Sequence, residues 1–449
     1  MSDLKHIPAV DSLLKEERIE RLCQQFGREL TLKSLRQVLA DMRRDIQHHD
    51  SIKTKQDIIE RAGEILESWL RPSIYPVINA SGIILHTNLG RAPLSSETIT
   101  AMQSVSAAYS NLEYDLEKGR RGSRSVHAES LLQLLAGAES ALVVNNNAGA
   151  MLLVLTALAK GRQVVIANSQ LIEIGGGFRV PDVMRQSGAK LNAIGTTNRV
   201  HVTDYQNALT EKTALVLVAH HSNFRIIGFT TEPNLSDIAH IAHQADLPLV
   251  YDLGSGALLE TAQFGLAHEP TVQESLQDGA DLVCFSGDKL MGGPQAGIIL
   301  GTKTLLDKIK KHPLARALRA DKLILAGISA TLTHYLKGEA LEKVPVWRMI
   351  SMDSGFIRQR AMDWKASIGF GDLIASQSMI GGGSLPEESL PTTTLGLQVN
   401  QPNRLLEKLR GQPVPIIARI EQDRVLFDPR TVLPGQDHHL ITGIKAALA

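Results

Sequence analysis

From residue 11 to about residue 70, apolar residues return every three or four positions, as in Leu32, Leu35, Val38, Leu39 and Met42. This spacing predicts amphipathic helices. The stretch has few strand formers and no glycine cluster, and Arg71 and Pro72 close it, so an N-terminal helical domain is expected over residues 1–72. Beyond it the pattern changes to short, nearly continuous apolar runs at 141–145, 164–167, 214–219, 249–252, 282–285 and 297–300, with helical segments such as 150–159 and 236–245 between them. Runs of this kind predict strands buried on both faces, and their alternation with helices predicts an α/β domain with a mainly parallel sheet. The density of such units falls after Lys337, and a weaker strand-rich region opens at 381–384. We therefore expect a large domain over residues 73–338 and a smaller C-terminal α/β domain over 339–449.

A chain of 449 residues exceeds one ordinary core, which agrees with this division. No apolar run is long enough to span a bilayer, and residues 1–12 lack the charged-then-apolar order of a secretory signal. A cytoplasmic protein without a membrane partner is expected. Two cysteines, Cys23 and Cys284, are too few for a disulfide framework or a cysteine zinc site. Forty-seven basic residues balance forty-seven acidic ones, so bulk charge points to no nucleic acid, and no DNA partner is expected.

In open α/β sheets, ligands bind beyond the carboxyl ends of the strands. After the first run comes Asn145-Asn146-Asn147-Ala148-Gly149, feeding an apolar helix whose free N–H groups suit a phosphate; a helix N-cap is the plainer reading. After the fourth comes Asp252, a strand-end carboxylate suited to a protonated pyridine nitrogen or to capping a turn. After the fifth comes Ser286-Gly287-Asp288-Lys289, a lysine among glycines with a serine able to bind phosphate. Lysine forms Schiff bases with aldehyde cofactors. Asn loop, Asp and Lys, each after a separate strand, is the order found in fold-type I pyridoxal-phosphate enzymes. His220 is expected to stack on the cofactor ring or to sit as a core histidine. The glycines at 175–177 lack the GxGxxG spacing, and His220 with His221 brings no further ligand cluster, so neither a dinucleotide nor a metal is expected.

Arginines offer anion sites. Arg91 lies in a loop-rich segment, and Arg316 and Arg319, three apart, are expected to share one helical face and to hold a tetrahedral oxyanion or face solvent. The basic loop at 119–124 is a further candidate for phosphates of a cofactor or an RNA.

At these residues the chain resembles the bacterial L-seryl-tRNA(Sec) selenium transferases, in the stretches IPAVDSLL, LHTNLGRAPLS, LEYDLEKGRRGSR, NNNAGA, DLGSG, FSGDKLMGGPQAGII and HPLARALRADK. The similarity runs from about residue 7 onward and thins after residue 395. It implies an aspartate aminotransferase-like, fold-type I enzyme that converts seryl-tRNA(Sec) to selenocysteinyl-tRNA(Sec) with selenophosphate, through a cofactor-bound aminoacrylyl-tRNA. Pyridoxal 5′-phosphate would be carried on Lys289, its ring nitrogen paired with Asp252, its ring under His220 and its phosphate held by Asn146, Asn147, Ala148 and Ser286. The resemblance also implies Arg91, Arg316 and Arg319 as selenophosphate ligands, an N-terminal domain that grips the tRNA, and a homo-oligomeric ring of dimers, a decamer. Residues 1–70 carry twelve basic and thirteen acidic side chains, so charge adds nothing to the tRNA assignment.

The chain departs from the family pattern at Asn168-Ser169-Gln170, where an arginine is usual, at Val218, often a lysine, and at His221, usually a threonine. Two other readings are an elimination of ammonia from small amino-sugar acids on the same cofactor, and an RNA-binding regulator on an inherited scaffold. The N-terminal domain and the arginines oppose the first. Lys289 and Asp252 oppose the second.

Overall fold

Residues 7–47, 54–174 and 177–449 are described by a computed structural model of the chain, which divides into two compact units, Met1–Pro76 and Val77–Ala449. In the first unit the helices Val10–Leu13, Glu17–Phe26, Arg28–Gln47 and Lys55–Leu70 bury Leu13, Ile19, Leu35, Val38, Leu39, Met42 and Ile58 against one another. The last helix starts at a capping box in which Thr54 Oγ1 accepts the Asp57 N–H and the Asp57 carboxylate accepts the Thr54 N–H. Arg71 ends it with an extended backbone ahead of Pro72, as the helix-breaking pair predicts.

The second unit is built on a seven-stranded sheet in the order Ser140–Val144, Gly297–Gly301, Leu282–Ser286, Leu249–Gly254, Thr213–Ala219, Gln163–Ala167, Lys190–Ile194. Only Gly297–Gly301 runs antiparallel to its neighbours. The other strands therefore present their carboxyl ends on one side. All six apolar runs are strands, and the central ones are buried on both faces, as continuous apolar sequence requires. The strand Lys190–Ile194 was not expected: it lies at the sheet edge, so its polar KLNAI sequence stays half in solvent. Helices Asn147–Ala159 and Leu235–Gln244 match the expected segments.

A second sheet of five strands contains Arg419–Glu421, Arg424–Phe427, Ser389–Gln398, Asp372–Gly381 and Ile83–Leu85. Gly381 ends a strand of ten residues that precedes the expected opening, and the strands Ser389–Gln398, Arg419–Glu421 and Arg424–Phe427 follow it. Ile83–Leu85 pairs in parallel with Asp372–Gly381, and Ile78–Asn79 pairs with Ile416–Ile417. Sequence that was expected to begin the large domain is, in space, part of the C-terminal sheets. Its apolar side chains find their partners there, with Ile78 and Ala80 packing on Leu395, Leu397 and Phe427.

The loop after Leu282–Ser286 is tied down from beneath. The Trp347 indole N–H donates to Tyr335 Oη at 2.7 Å, and that hydroxyl donates to the Met291 carbonyl at 2.8 Å, all of it buried. Tyr335→Phe leaves both an indole N–H and a carbonyl without partners, so a loss of about 1–3 kcal/mol is expected, read as a lower denaturant midpoint at unchanged slope.

Candidate active site

The carboxyl ends of the sheet strands open on a cavity of about 360 Å³. Asn146, Asn147, Ala148, His220 and Asp252 line it, as do Ser286, Lys289 and Arg91. Side chains more than a hundred residues apart in sequence meet here because the crossover helices return each strand in the same direction.

Asn146 is the N-cap of the helix Asn147–Ala159, its Oδ1 accepting the Gly149 N–H at 2.8 Å. The capping reading therefore holds for its side chain. The N–H groups of Asn147 and Ala148 in the first turn are left for an anion, where the helix dipole adds to their pull. Asn147 Nδ2 donates to Asp252 Oδ1 at 2.9 Å, while its own Oδ1 is buried without a partner. Asp252 opens on the cavity but is otherwise enclosed by protein. Burial pushes its carboxyl up, opposed by the Asn147 hydrogen bond and the charge of Lys289.

Lys289 is only 6% exposed. Burial lowers its ammonium, with Asp252 pulling the other way and Arg91 adding to the depression. Two glycines leave room for its amine. A Cβ at Gly254 would stand 3.7 Å from Nζ, and one at Gly383 would stand 2.8 Å from both Nζ and Cε. Gly383 also has a φ of +86°, which a side chain adopts only under strain. Gly383→Ala is expected to displace the amine at a cost of about 1–3 kcal/mol, hence about a ten- to hundredfold weaker hold on a lysine-bound cofactor, read by absorbance titration.

Arg91 has a left-handed backbone, φ 62°, following Gly90. Its Nη1 donates to Asp288 Oδ2 at 2.8 Å, and Asp288 Oδ1 is buried and unpartnered. Asp288, Gly383 and Glu269, whose Oε1 lies 3.6 Å from Nδ1 of His220, were not anticipated. Asp288 was within reach, as the neighbour of Lys289. Nothing local marks the other two.

Arg316 and Arg319 do not share a helical face. The helix Pro313–Ala317 stops short of Arg319, since the Leu318 carbonyl accepts the Asn145 N–H at 2.9 Å and Arg319 bridges Val144. Both are exposed and neither is among the residues lining the cavity. Arg319 faces Glu113 at 3.6 Å, the carboxylate that also takes Arg121 and Arg124 from the basic loop, each in an ion pair.

Of the positions expected to depart from the family pattern, Gln170 and His221 meet at Glu232, and Asn168 instead donates to the Gly195 carbonyl at 2.7 Å. Gln170, 1% exposed, accepts the Ala219 N–H at 3.1 Å and donates to Glu232 at 2.6 Å. His221 Nε2 lies 3.1 Å from the Ser169 carbonyl, and its Nδ1 3.7 Å from Glu232. Gln170, Val218, His221 and Glu232 wall a second cavity of about 460 Å³ that shares Ala219 and His220 with the first.

Two family models match the chain: L-seryl-tRNA selenium transferase over residues 77–433 and selenocysteine synthase N terminal over residues 4–43. The chain belongs to the L-seryl-tRNA selenium transferase family. It is 42% identical to the L-seryl-tRNA(Sec) selenium transferase of Clostridium botulinum (strain Okra / Type B1), covering 99% of this chain and 98% of that one. It is 43% identical to that of Caldanaerobacter subterraneus subsp. tengcongensis over 99% of this chain and 98% of that one. In fold it resembles D-glucosaminate-6-phosphate ammonia-lyase, with a TM-score of 0.59 over 85% of this chain and 97% of that one at 20% identity.

The architecture is the fold-type I arrangement of pyridoxal 5′-phosphate enzymes, and that cofactor is the one this transferase family uses. The residues present fit it. A buried amine of lowered basicity, a carboxyl beside it, a helix N-terminus with two unclaimed N–H groups and an unpartnered Asn147 Oδ1 are the donors and acceptors that an aldehyde-bearing pyridine phosphate requires.

Proposed function

We propose that this cavity converts the seryl group of seryl-tRNA(Sec) to a selenocysteinyl group, with selenophosphate as the selenium donor. The observation that carries the reading is the Lys289 amine, buried between Asp252 and two glycines, in a selenium transferase chain. When bound, pyridoxal 5′-phosphate supplies an electron sink for charge developing at the seryl α-carbon. The chain's own residues do the rest. Asn146 sets the helix turn whose Asn147 and Ala148 N–H groups, with Ser286, hold the phosphate. Asp252 keeps a proton on the ring nitrogen, and His220 covers the ring. Lys289, with its basicity lowered by burial, would take the α-proton and pass it to the departing β-hydroxyl, which leaves as water, and would return a proton to the α-carbon once selenium has added at the β-carbon. Arg91, braced by Asp288, faces the cavity as a ligand for the anionic donor.

Arg316 and Arg319 we assign to the same donor from exposed positions, acting in a homo-oligomeric ring of dimers. Residues 1–72 would grip the tRNA, residues 73–338 would carry the cofactor and residues 339–449, through Gly383, would close over the lysine. No described helix is long and apolar enough to cross a membrane, which accords with a cytoplasmic enzyme.

The test is conversion of seryl-tRNA(Sec) with selenophosphate, beside seryl-tRNA(Ser). Consumption of the first alone supports the reading. Consumption of a free amino-sugar acid, with both tRNAs untouched, replaces it by the lyase alternative. Removal of residues 1–76 should abolish tRNA binding while leaving the cofactor's visible band.

A further inference from the structure

Glu269 is 2% exposed, and its Oε1 has no hydrogen-bond partner. The atom facing it is Nδ1 of His220, 3.6 Å away, itself buried and without a partner. Both residues are pinned through their backbones: the Glu269 N–H donates to Thr261 Oγ1 at 2.9 Å, and the His220 N–H to the Asp252 carbonyl at 2.9 Å. A separation of 3.6 Å is too long for a hydrogen bond, yet about half an ångström of side-chain rotation closes it. The Ser255 hydroxyl, buried and likewise without a formed hydrogen bond, also acts on the Glu269 carboxyl, which has two oxygens to share between it and Nδ1 of His220.

We propose that Glu269 is the positioning residue of His220: its carboxyl takes the Nδ1 edge of the imidazole and so decides whether Nε2 meets the cavity as a donor or as an acceptor. The inference rests on the reading of His220 as the group that covers the cofactor ring. When the carboxyl is protonated it donates to a bare Nδ1, and the ring's one proton sits on Nε2. When it is ionised it accepts from Nδ1–H, and Nε2 presents a lone pair. Passing from one state to the other, the carboxyl proton goes to Nδ1 and the Nε2 proton leaves into the cavity, so one proton is released in all. The pair titrates as a unit.

The groups facing the pair are Lys289, His221, His268 and Tyr251, with Asp252, Glu232 and Asp278 acting on Tyr251. Tyr251 meets the His220 ring edge-on, with centroids 6.4 Å apart. Burial pushes the Glu269 carboxyl up to about 7, and burial with His221 and Lys289 pushes the His220 imidazole down to about 4. Between those values neither group is charged, which is the state that a buried pair favours. The exchange of tautomers therefore falls near neutral pH.

An infrared titration of the cofactor-free protein tests this. A protonated-carboxyl stretch that disappears as pH rises through about 7, and that is missing from Glu269→Gln, is expected. In the loaded enzyme the corresponding limb of kcat/KM, about tenfold between pH 6 and 8, should flatten to less than about twofold in Glu269→Gln and return, displaced, in Glu269→Asp. A carboxyl stretch that does not titrate there, or a pH profile unchanged by Glu269→Gln, overturns the proposal. Should the amide variant fail to fold, an apparent pKa unmoved in Glu269→Asp overturns it equally. Absence of the visible cofactor band from the wild-type protein would instead defeat the reading of the cavity, while the infrared titration would still report on the pair.

Discussion

Lys289→Ala is expected to abolish the visible absorbance that pyridoxal 5′-phosphate gives on the wild-type protein and to lower conversion of seryl-tRNA(Sec) by roughly four orders of magnitude or more. On the proposed reading the amine is both the attachment point and the base that serves the substrate's α-carbon, so its removal deletes two functions that Arg91, which also lines the cavity, cannot take over because a guanidinium forms no such Schiff base. Lys289→Arg separates chemistry from charge. It keeps a cation facing Asp252 and Asp288 but offers no nucleophile, so it should fail as completely as alanine while staying nearer to wild-type stability. Single-turnover conversion with added cofactor, alongside denaturant midpoints, checks both. Recovery of the band in the arginine variant would sink the assignment.

Why Lys289 could be picked out from sequence is a matter of strand order. Continuous apolar runs mark strands buried on both faces, and in a parallel sheet the residue after each run must lie on the same side. Asn147, Asp252, Ser286 and Lys289 could thus be grouped without coordinates, and the structure lines one cavity with them. The same logic missed Lys190–Ile194, where an edge position relieves the need for apolar residues. It also missed every contact made by a loop folding back from afar. Gly383 reaches Lys289 because Ile83–Leu85 locks the C-terminal sheet onto the start of the unit, a pairing between segments about three hundred residues apart that no local period records. Glu269 stands in a loop, pinned to Thr261 by one hydrogen bond, and its importance arises only from what it faces. For Arg319 the period itself misled. Spacing of three implies a shared face only while the helix lasts, and this helix ends at Ala317.

Asp252→Asn should divide activity from stability more cleanly than any other substitution in the cavity. The amide can still face Asn147 and fills the same volume, so the cofactor should bind to Lys289, but a neutral group cannot hold a proton on the ring nitrogen. Turnover should fall by roughly two to four orders of magnitude, the range for a lost catalytic proton holder. Stability should move the other way. The folded-state pKa of Asp252 is raised, chiefly by burial, so the native state holds a proton that the unfolded chain has already released as pH climbs past the ordinary carboxylate range. Folding stability from this group is therefore lost as pH rises toward the folded value and stays lost above it, and the amide is spared that loss. At neutral pH the cofactor-free variant should accordingly melt at or above the wild-type temperature, the difference shrinking as the medium is made acid. Asp252→Ala gives the contrast: it strands Asn147 Nδ2, costs about 1–3 kcal/mol and should melt lower at every pH. If the asparagine variant melted far below wild type at neutral pH, Asp252 would be holding the fold together, and its placement opposite Lys289 would have to be explained by structure alone.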